Sequence, residues 1–232
     1  MMNKITYRKI ILTLIISICS YYASAQSIFK KEETRVGIHL SPIIPNNMIQ
    51  NNDVSLITDS IEYNMKQAFG LNFGMEIRTT IYERFSLHAG INYCRRNFNI
   101  KITAADSLFT DSTLKFYSYE IPVYAGGYVK LARHFFLNGN LGACLDFYPT
   151  DISIPHVYGK RYNWVQFSVV GGTGLEWRTK KNGWFYIGMS YKAHFKNMLY
   201  VLFYKNDIIG SADEYIPFSG NYFSLAFKYY LP

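Results

Sequence analysis

The feature that most constrains this chain is an alternation of apolar and polar side chains with a period of two residues. In residues 68–80, for example, Phe69, Leu71 and Phe73 alternate with Gly70, Asn72 and other small or polar residues. Side chains of a β-strand point to opposite faces in turn, so each such segment has one apolar and one polar face. The pattern predicts eight strands, at residues 35–41, 68–80, 85–94, 117–131, 137–147, 165–178, 185–195 and 223–229.

The connections between these segments alternate in length. The short ones are residues 82–84, 133–134 and 179–183, and the long ones are 42–67, 103–115, 148–163 and 196–220. An even number of antiparallel strands with short turns at one end and long loops at the other is typical of outer-membrane barrels. We therefore predict an all-β fold, a closed eight-stranded antiparallel up-and-down transmembrane β-barrel with its long loops outside the cell.

The polar face carries charged residues, which separates this barrel from a soluble lipocalin-like barrel with an apolar interior. Eight strands enclose a space that side chains can fill, and buried charges are tolerated only when they are paired and hydrogen-bonded. We predict a paired network that fills the lumen, with a narrow conducting pore as the alternative. Its members are Glu76, Arg78, Glu120, Lys130, Glu176, Arg178 and Lys192.

The start of the chain has the pattern of an export signal. Three basic residues, the last of them Lys9, precede an apolar run at residues 10–20, and the small residues Ala23 and Ala25 provide a cleavage site. The apolar run is too short to be a spanning helix, which needs about 20 residues. We predict a cleaved signal peptide and a protein of the Gram-negative outer membrane, divided into residues 1–25 (signal), 26–34 (short periplasmic segment) and 35–232 (barrel).

Composition is consistent with strands that face lipid. The chain has 21 Tyr and 17 Phe, and many of these rings fall at predicted strand ends, where amphipathic rings prefer the headgroup level. Lys and Arg are interleaved with Glu along the strands instead of forming a basic patch, which disfavours nucleic acid as a partner. Cys94 and Cys144 face the lumen from strands separated by another strand, too far apart for a disulfide.

Three short motifs resemble a known family. They are Tyr119-Glu120-Ile121-Pro122, the glycine-rich strand at residues 171–176, and the aromatic ending at residues 223–229. They are similar to signatures of the PorT-like, or porin-family, outer-membrane β-barrel proteins, although Leu231-Pro232 follows where such barrels often stop on an aromatic residue. The resemblance implies the barrel fold. It does not imply one function, because some relatives assist protein secretion and a shared fold does not fix an activity.

The sequence favours a structural protein or one that presents its loops to a partner. Apolar residues in the last long loop could form an exposed binding patch, or they could extend a strand and pack on neighbouring strands. The expected partners are outer-membrane lipid and lipopolysaccharide, the barrel-assembly machinery during insertion, and a protein that binds the loops. The residues of the predicted partner-binding loop are Met198, Leu199, Tyr200, Phe203 and Tyr204.

An enzyme is disfavoured. His88 and Ser86 share the inward face, as do His194 and Ser190, but no Gly-x-Ser-x-Gly motif occurs. The other histidines lack metal-ligand spacing, and no cofactor is expected. A lipid-modifying outer-membrane enzyme is the least favoured alternative.

Overall fold

The computed structural model describes residues 33–45, 54–58, 61–82, 84–104, 107–154, 157–203 and 215–232. The predicted signal peptide and residues 26–32 lie outside these ranges. Across the described residues, no helix has the length and apolar character needed to cross a membrane.

The described part of the chain is all-β. In chain order its strands are β1 (Glu33–Ile44), β2 (Val54–Thr58), β3 (Ile61–Tyr82), β4 (Phe85–Ala104), β5 (Ser107–Lys130), β6 (Phe135–Phe147), β7 (Ile152–Ile154), β8 (Val157–Arg161), β9 (Val165–Arg178), β10 (Trp184–His194), β11 (Leu199–Phe203), β12 (Tyr215–Phe218) and β13 (Tyr222–Tyr230).

Eight of these strands form a ring of antiparallel neighbours in the order β1, β13, β10, β9, β6, β5, β4, β3. The first strand joins the two ends of the ring, since Leu40 lies opposite Phe227 of β13 and also opposite Phe73 of β3. The eight strands correspond to the eight predicted segments. The predicted antiparallel up-and-down order is therefore confirmed.

Side-chain direction in the ring follows the period-two pattern. On β3, Phe73 and Ile77 are 46% and 55% exposed, whereas Glu76 and Arg78 are 3% and 0% exposed. The apolar side chains thus cover the outside of the ring, and the charged ones fill the inside.

The predicted loops proved wrong in extent, because β3, β4 and β5 continue well past the segments assigned to them. β3 begins at Ile61, inside the predicted loop 42–67, and β5 begins at Ser107, inside the predicted loop 103–115. The loops 148–163 and 196–220 contribute a second sheet with the order β12, β11, β8, β7. Strand pairing continues here because the inward-facing residues of the extensions are apolar and pack on the second sheet.

We call the second sheet together with the extended parts of β3, β4 and β5 the outer sandwich. Ring contacts join its layers, with Phe98 of β4 lying 4.9 Å from Phe218 of β12 at 81° and Phe116 of β5 lying 5.4 Å from Tyr148. Burial raises the pKa of the Tyr148 hydroxyl, which lies just beyond the end of β6 and stays neutral. The buried core of the outer sandwich consists of Tyr63, Met65, Phe98, Ile100, Ile102, Leu114, Phe116, Tyr148, Val157, Met198, Leu199, Val201 and Phe218.

The cysteines are placed as the strand pattern predicted. Cys94 lies opposite Ser118 and Cys144 lies opposite Pro122 on the intervening strand β5. The two thiols are therefore offset along the strands as well as separated by two strand spacings. Both are free and buried.

Candidate functional site

The candidate site is the set of ionisable side chains inside the ring. Except for Arg96, whose outward neighbours Arg95 and Asn97 are polar, each sits at an inward position of a strand whose other face is mostly apolar, so the strand pattern directs it to the lumen. The charges form two groups. The turn-side cluster consists of Glu76, Arg78, Glu176, Arg178 and Lys228, and the loop-side cluster consists of Arg96, Glu120, Asp146, Lys192 and His194.

The first part of the turn-side cluster is centred on Glu176. Arg78 Nη1 donates to Glu176 Oε2 at 2.6 Å, and Arg178 donates to the other carboxylate oxygen. Both guanidinium groups also lie over aromatic rings, with Arg78 4.6 Å and Arg178 4.5 Å from the centroid of Trp184. Cation–π contact of this kind is strongest where water is excluded. One carboxylate and the indole ring of Trp184 thus hold two arginines side by side.

The second part of the turn-side cluster is centred on Glu76. Lys228 Nζ donates to its carboxylate oxygens at 3.0 and 3.2 Å, and the hydroxyls of Tyr124 and Tyr230 donate as well. His88 Nδ1 lies 3.4 Å from Glu76 Oε1. Since charge-assisted hydrogen bonds are the strong ones, Glu76 ties together strands β3, β4, β5 and β13.

The loop-side cluster is centred on Lys192. Its ammonium lies 2.9 Å from Glu120 Oε1 and also contacts Asp146. Arg96 Nη2 donates to Glu120 at 3.2 Å, and His194 Nε2 lies 3.3 Å from Asp146 Oδ2. Two carboxylates therefore face the ammonium and the guanidinium, which balances the formal charge in this half of the lumen.

The structure brings together six of the seven network residues predicted from sequence and leaves out Lys130. The inclusion of Lys130 was wrong, since its side chain is exposed. It is the last residue of β5, where the strand ends at the rim of the ring and a long side chain can reach solvent.

Sequence reasoning missed four ionisable members of the network. The alternation in segments 137–147 and 223–229 turns Asp146 and Lys228 inward, so parity could have included them. Arg96 was missed because its strand was predicted to end at residue 94, and His194 because only its chemistry as a base was considered.

Ser86, His88 and Glu76 have the connectivity of a hydrolase triad. Ser86 Oγ lies 2.8 Å from His88 Nε2, and His88 Nδ1 lies 3.4 Å from Glu76. However, the Tyr128 hydroxyl lies 2.6 Å from Ser86 Oγ and 3.1 Å from His88 Nε2, so it occupies the position that a substrate would need. Ser86 and His88 are also 2% and 1% exposed. The arrangement is a filled hydrogen-bond network of the lumen.

One group of side chains has the composition of a metal site. Ligand atoms of Glu120, Cys144 and Asp146 all lie within 4.8 Å of one another. The ammonium of Lys192 lies among them, 3.3 Å from Cys144 Sγ and 2.9 Å from Glu120. The cation that neutralises these carboxylates is thus supplied by the protein itself.

The space between the two clusters is small. A cavity of about 60 Å³ is lined by Glu76, Asn92, Glu120, Lys192, Lys228 and other inward residues. At about 30 Å³ per water molecule, it has room for one or two. The lumen is therefore closely filled by side chains at the level of both clusters.

The predicted partner-binding loop is not an exposed apolar patch. Met198 and Leu199 are 0% and 1% exposed and belong to the core of the outer sandwich. The side chain of Phe203 and all of Tyr204 lie outside the described residues, and Tyr200 is partly buried. The patch hypothesis is wrong for Met198 and Leu199, because Leu199 begins β11, which pairs with β8 and β12, and both residues pack in the core of the outer sandwich.

Comparison with known proteins gives distant structural similarities only. The sequence matches no family model and no curated protein. Two similar solved structures are outer membrane protein W of E. coli, solved by NMR in solution (11% identity, TM-score 0.36), and the beta domain of the Bordetella autotransporter BrkA (11% identity, TM-score 0.34). Each match covers 87% of this chain and 99% of the other. At this identity and TM-score, neither structure indicates a function for this chain.

Proposed function

We propose that this chain is a small integral outer-membrane protein, a closed and non-conducting β-barrel that carries an ordered β-sandwich on its extracellular side. The observation that supports the proposal is the inverted distribution of its side chains. Charged residues such as Arg78 and Glu176 are fully buried, while large apolar residues such as Leu141 and Phe167 are 66% and 61% exposed. Lipid is the environment in which that distribution is favourable.

The height of the apolar surface fits a bilayer. On β9 the exposed apolar positions run from Phe167 to Trp177, a span of about 33 Å along the strand at ~3.3 Å per residue. If the strand is tilted by about 40° from the barrel axis, this span corresponds to a height of ~25 Å along the axis, which matches the height of the apolar band of outer-membrane barrels.

Aromatic rings lie at both ends of this band. Near the short turns, Trp177 lies 6.2 Å from Phe135 and 5.7 Å from Phe185, which in turn lies 4.9 Å from Tyr229. These rings follow four adjacent strands. At the loop side, Phe147 lies 5.9 Å from Trp164, and Tyr191 lies 4.6 Å from Phe223. Two such girdles are expected where strands pass through the headgroup regions.

Electrophoretic mobility with and without boiling tests this proposal. A closed ring of paired strands resists detergent, so the unboiled protein should migrate faster than the boiled protein and show a β-sheet circular dichroism spectrum. In cells it should fractionate with the outer membrane, and depletion of the barrel-assembly machinery should reduce its amount there. Equal mobility in both states together with recovery in the soluble fraction would contradict the proposal.

Two other roles stay predictions from the sequence. The PorT-like resemblance suggests a component of protein secretion, and the porin label suggests a narrow pore. The first would be supported by crosslinking to a secretion component that survives mild detergent. The second would be supported by steady conductance of the purified protein in planar bilayers.

A further inference from the structure

A polar pocket of about 320 Å³ lies at the loop-side rim of the ring. It is formed where the connections before β9, after β10 and before β13 meet. Its volume falls within the range of small-molecule sites, which begins at about 300 Å³. The side chains that give it its character are Tyr162, Lys196, Asn197, Tyr200, Ser219 and Asn221.

The lining combines aromatic rings, neutral hydrogen-bonding groups and positive charge. Tyr162 and Tyr200 are in ring contact at 5.5 Å, and the Lys196 ammonium lies 5.2 Å from the centroid of Tyr162. Tyrosine presents an apolar face with a polar tip, which suits the amphipathic surface of a sugar ring. None of the described lining residues is acidic.

A second lysine adds to the positive charge. Lys160 is exposed and lies directly opposite Tyr200 in the ladder between β8 and β11, so the two side chains leave the sheet on the same face. Nearby Asp151 is engaged by Arg161, at 3.6 Å, and by the Tyr158 hydroxyl, at 3.0 Å. Among the residues that the structure describes, the charge beside the pocket is therefore positive, comes from Lys160 and Lys196, and favours an anionic ligand.

The pocket lies directly beside the loop-side apolar surface. Phe195 lines it and is 72% exposed, and Trp164, two residues after Tyr162, is 61% exposed. In the barrel orientation proposed above, these two rings would face the outer edge of the acyl chains. The pocket would then lie at the depth where the outer leaflet carries its phosphorylated sugars.

We propose that this pocket binds the phosphorylated sugar headgroup of lipopolysaccharide. The inference rests on the proposed outer-membrane function. The sugar ring would lie against Tyr162 and Tyr200, and a phosphate would be paired with Lys196 and Lys160, as basic pockets at a membrane surface pair with anionic headgroups. The site would anchor the outer sandwich to the leaflet around it.

The test uses the full mature chain refolded in zwitterionic detergent and titrated with deep-rough lipopolysaccharide, with bound lipid counted by native mass spectrometry. The double variant Lys160→Gln/Lys196→Gln should bind about thirtyfold more weakly, because two headgroup charge contacts are lost. Tyr162→Ala should weaken binding while leaving the charge unchanged. The control Lys180→Gln/Lys181→Gln removes the same charge at an exposed periplasmic turn and should bind like the unmodified chain.

Two further probes separate the possible sources of the anionic sugar. Dephosphorylated lipopolysaccharide should bind as weakly as the Lys160/Lys196 double variant does. Glucosamine 1-phosphate should compete only at far higher concentration; equal affinity for it would overturn the headgroup assignment in favour of a soluble sugar phosphate. Unchanged binding by a double variant that still shows heat-modifiable mobility would overturn the pocket while leaving the barrel intact. Loss of that mobility in the unmodified chain would instead count against the barrel.

Discussion

At the scale of single residues, the charges buried in the described part of the chain lie in groups. Glu120 is the clearest case, since it contacts Lys192 at 2.9 Å, Arg96 at 3.2 Å, Asn72 at 2.8 Å and the Tyr222 hydroxyl at 3.2 Å. A buried ion pair contributes little net stability compared with an apolar pair, but removal of one partner leaves the other charged and dehydrated. The acids and bases of the lumen are therefore energetically interdependent.

We expect Glu120→Gln to lower the free energy of unfolding by about 3–5 kcal/mol, because Lys192 and Arg96 would lose a shared buried counter-ion. Urea-induced unfolding in lipid vesicles, followed by tryptophan fluorescence, measures this. Glu62→Gln on β3 is the matched control, as its side chain is exposed, and should change the value by less than about 0.5 kcal/mol. In a double-mutant cycle, Glu120→Gln and Lys192→Gln should be strongly non-additive. Additive losses would show that the pair is not coupled.

At the scale of elements, β3, β4 and β5 each pass through two environments. Their inward residues change from polar, as at Glu120, to apolar, as at Leu114, while their outward residues change in the opposite sense, from Val123 to Thr113. In the proposed orientation, the same strand would supply a lipid-facing surface in one half and a water-facing surface in the other. The place where the pattern inverts would then mark the outer boundary of the membrane.

Arginine substitutions on β5 locate that boundary. Val123→Arg should cost roughly 2–4 kcal/mol because a charge would enter the hydrocarbon region. Thr113→Arg, on the same outward face but in the outer sandwich, should cost less than about 0.5 kcal/mol. Unfolding titrations in vesicles measure both variants. Equal costs would mean that the two positions share one environment.

The outer sandwich should be separable from the ring. Val201 is 1% exposed within its core, and Val201→Asp would bury an unpaired carboxylate there, at a cost of several kcal/mol. We expect rapid proteolysis within residues 196–220 in this variant, while its heat-modifiable mobility is retained. Ser153→Asp, at an exposed position of β7, should leave the protease resistance unchanged. Loss of the mobility shift in Val201→Asp would indicate that ring and sandwich fold as one unit.

At the scale of the whole molecule, the side chains inside the ring and the outer sandwich form successive layers that differ in polarity. The turn-side cluster and the loop-side cluster enclose a cavity of only about 60 Å³, and the apolar core of the outer sandwich lies beyond Arg96, whose guanidinium contacts Met198 Sδ at 2.7 Å. Polar packing thus gives way directly to apolar packing. These stacked layers leave little room for a continuous water path through the ring.

Purified protein in planar bilayers should accordingly show no stable open channel. Opening a path would require the charges around Lys192 and Glu176 to separate and become partly unpaired, which costs several kcal/mol per ion. The double variant Glu120→Ala/Lys192→Ala removes side-chain volume and charge from the loop-side cluster, so it is the variant in which brief openings are expected first. Steady, ion-selective conductance from the unmodified chain would favour a true pore.

The period-two pattern was sufficient to predict the ring strands and the direction of most side chains. It identified Glu76, Arg78, Glu120, Glu176, Arg178 and Lys192 as inward, because strand geometry relates position to face without reference to distant residues. It failed where strands ended. Lys130 was placed inside although it lies at a rim, and Arg96 was missed because its strand continues past the predicted end.

Sequence by itself determined the class of fold, the antiparallel order and the two faces of each ring strand, since these depend on local alternation and on short connections. Only the tertiary structure decided which acid meets which base, and that the predicted loops hold a second core. Pairings such as Arg78 with Glu176 join residues 98 positions apart, and their choice depends on strand register and stagger around the ring. An apolar residue such as Leu199 is exposed or buried depending on whether another sheet covers it. The local sequence pattern does not contain that information.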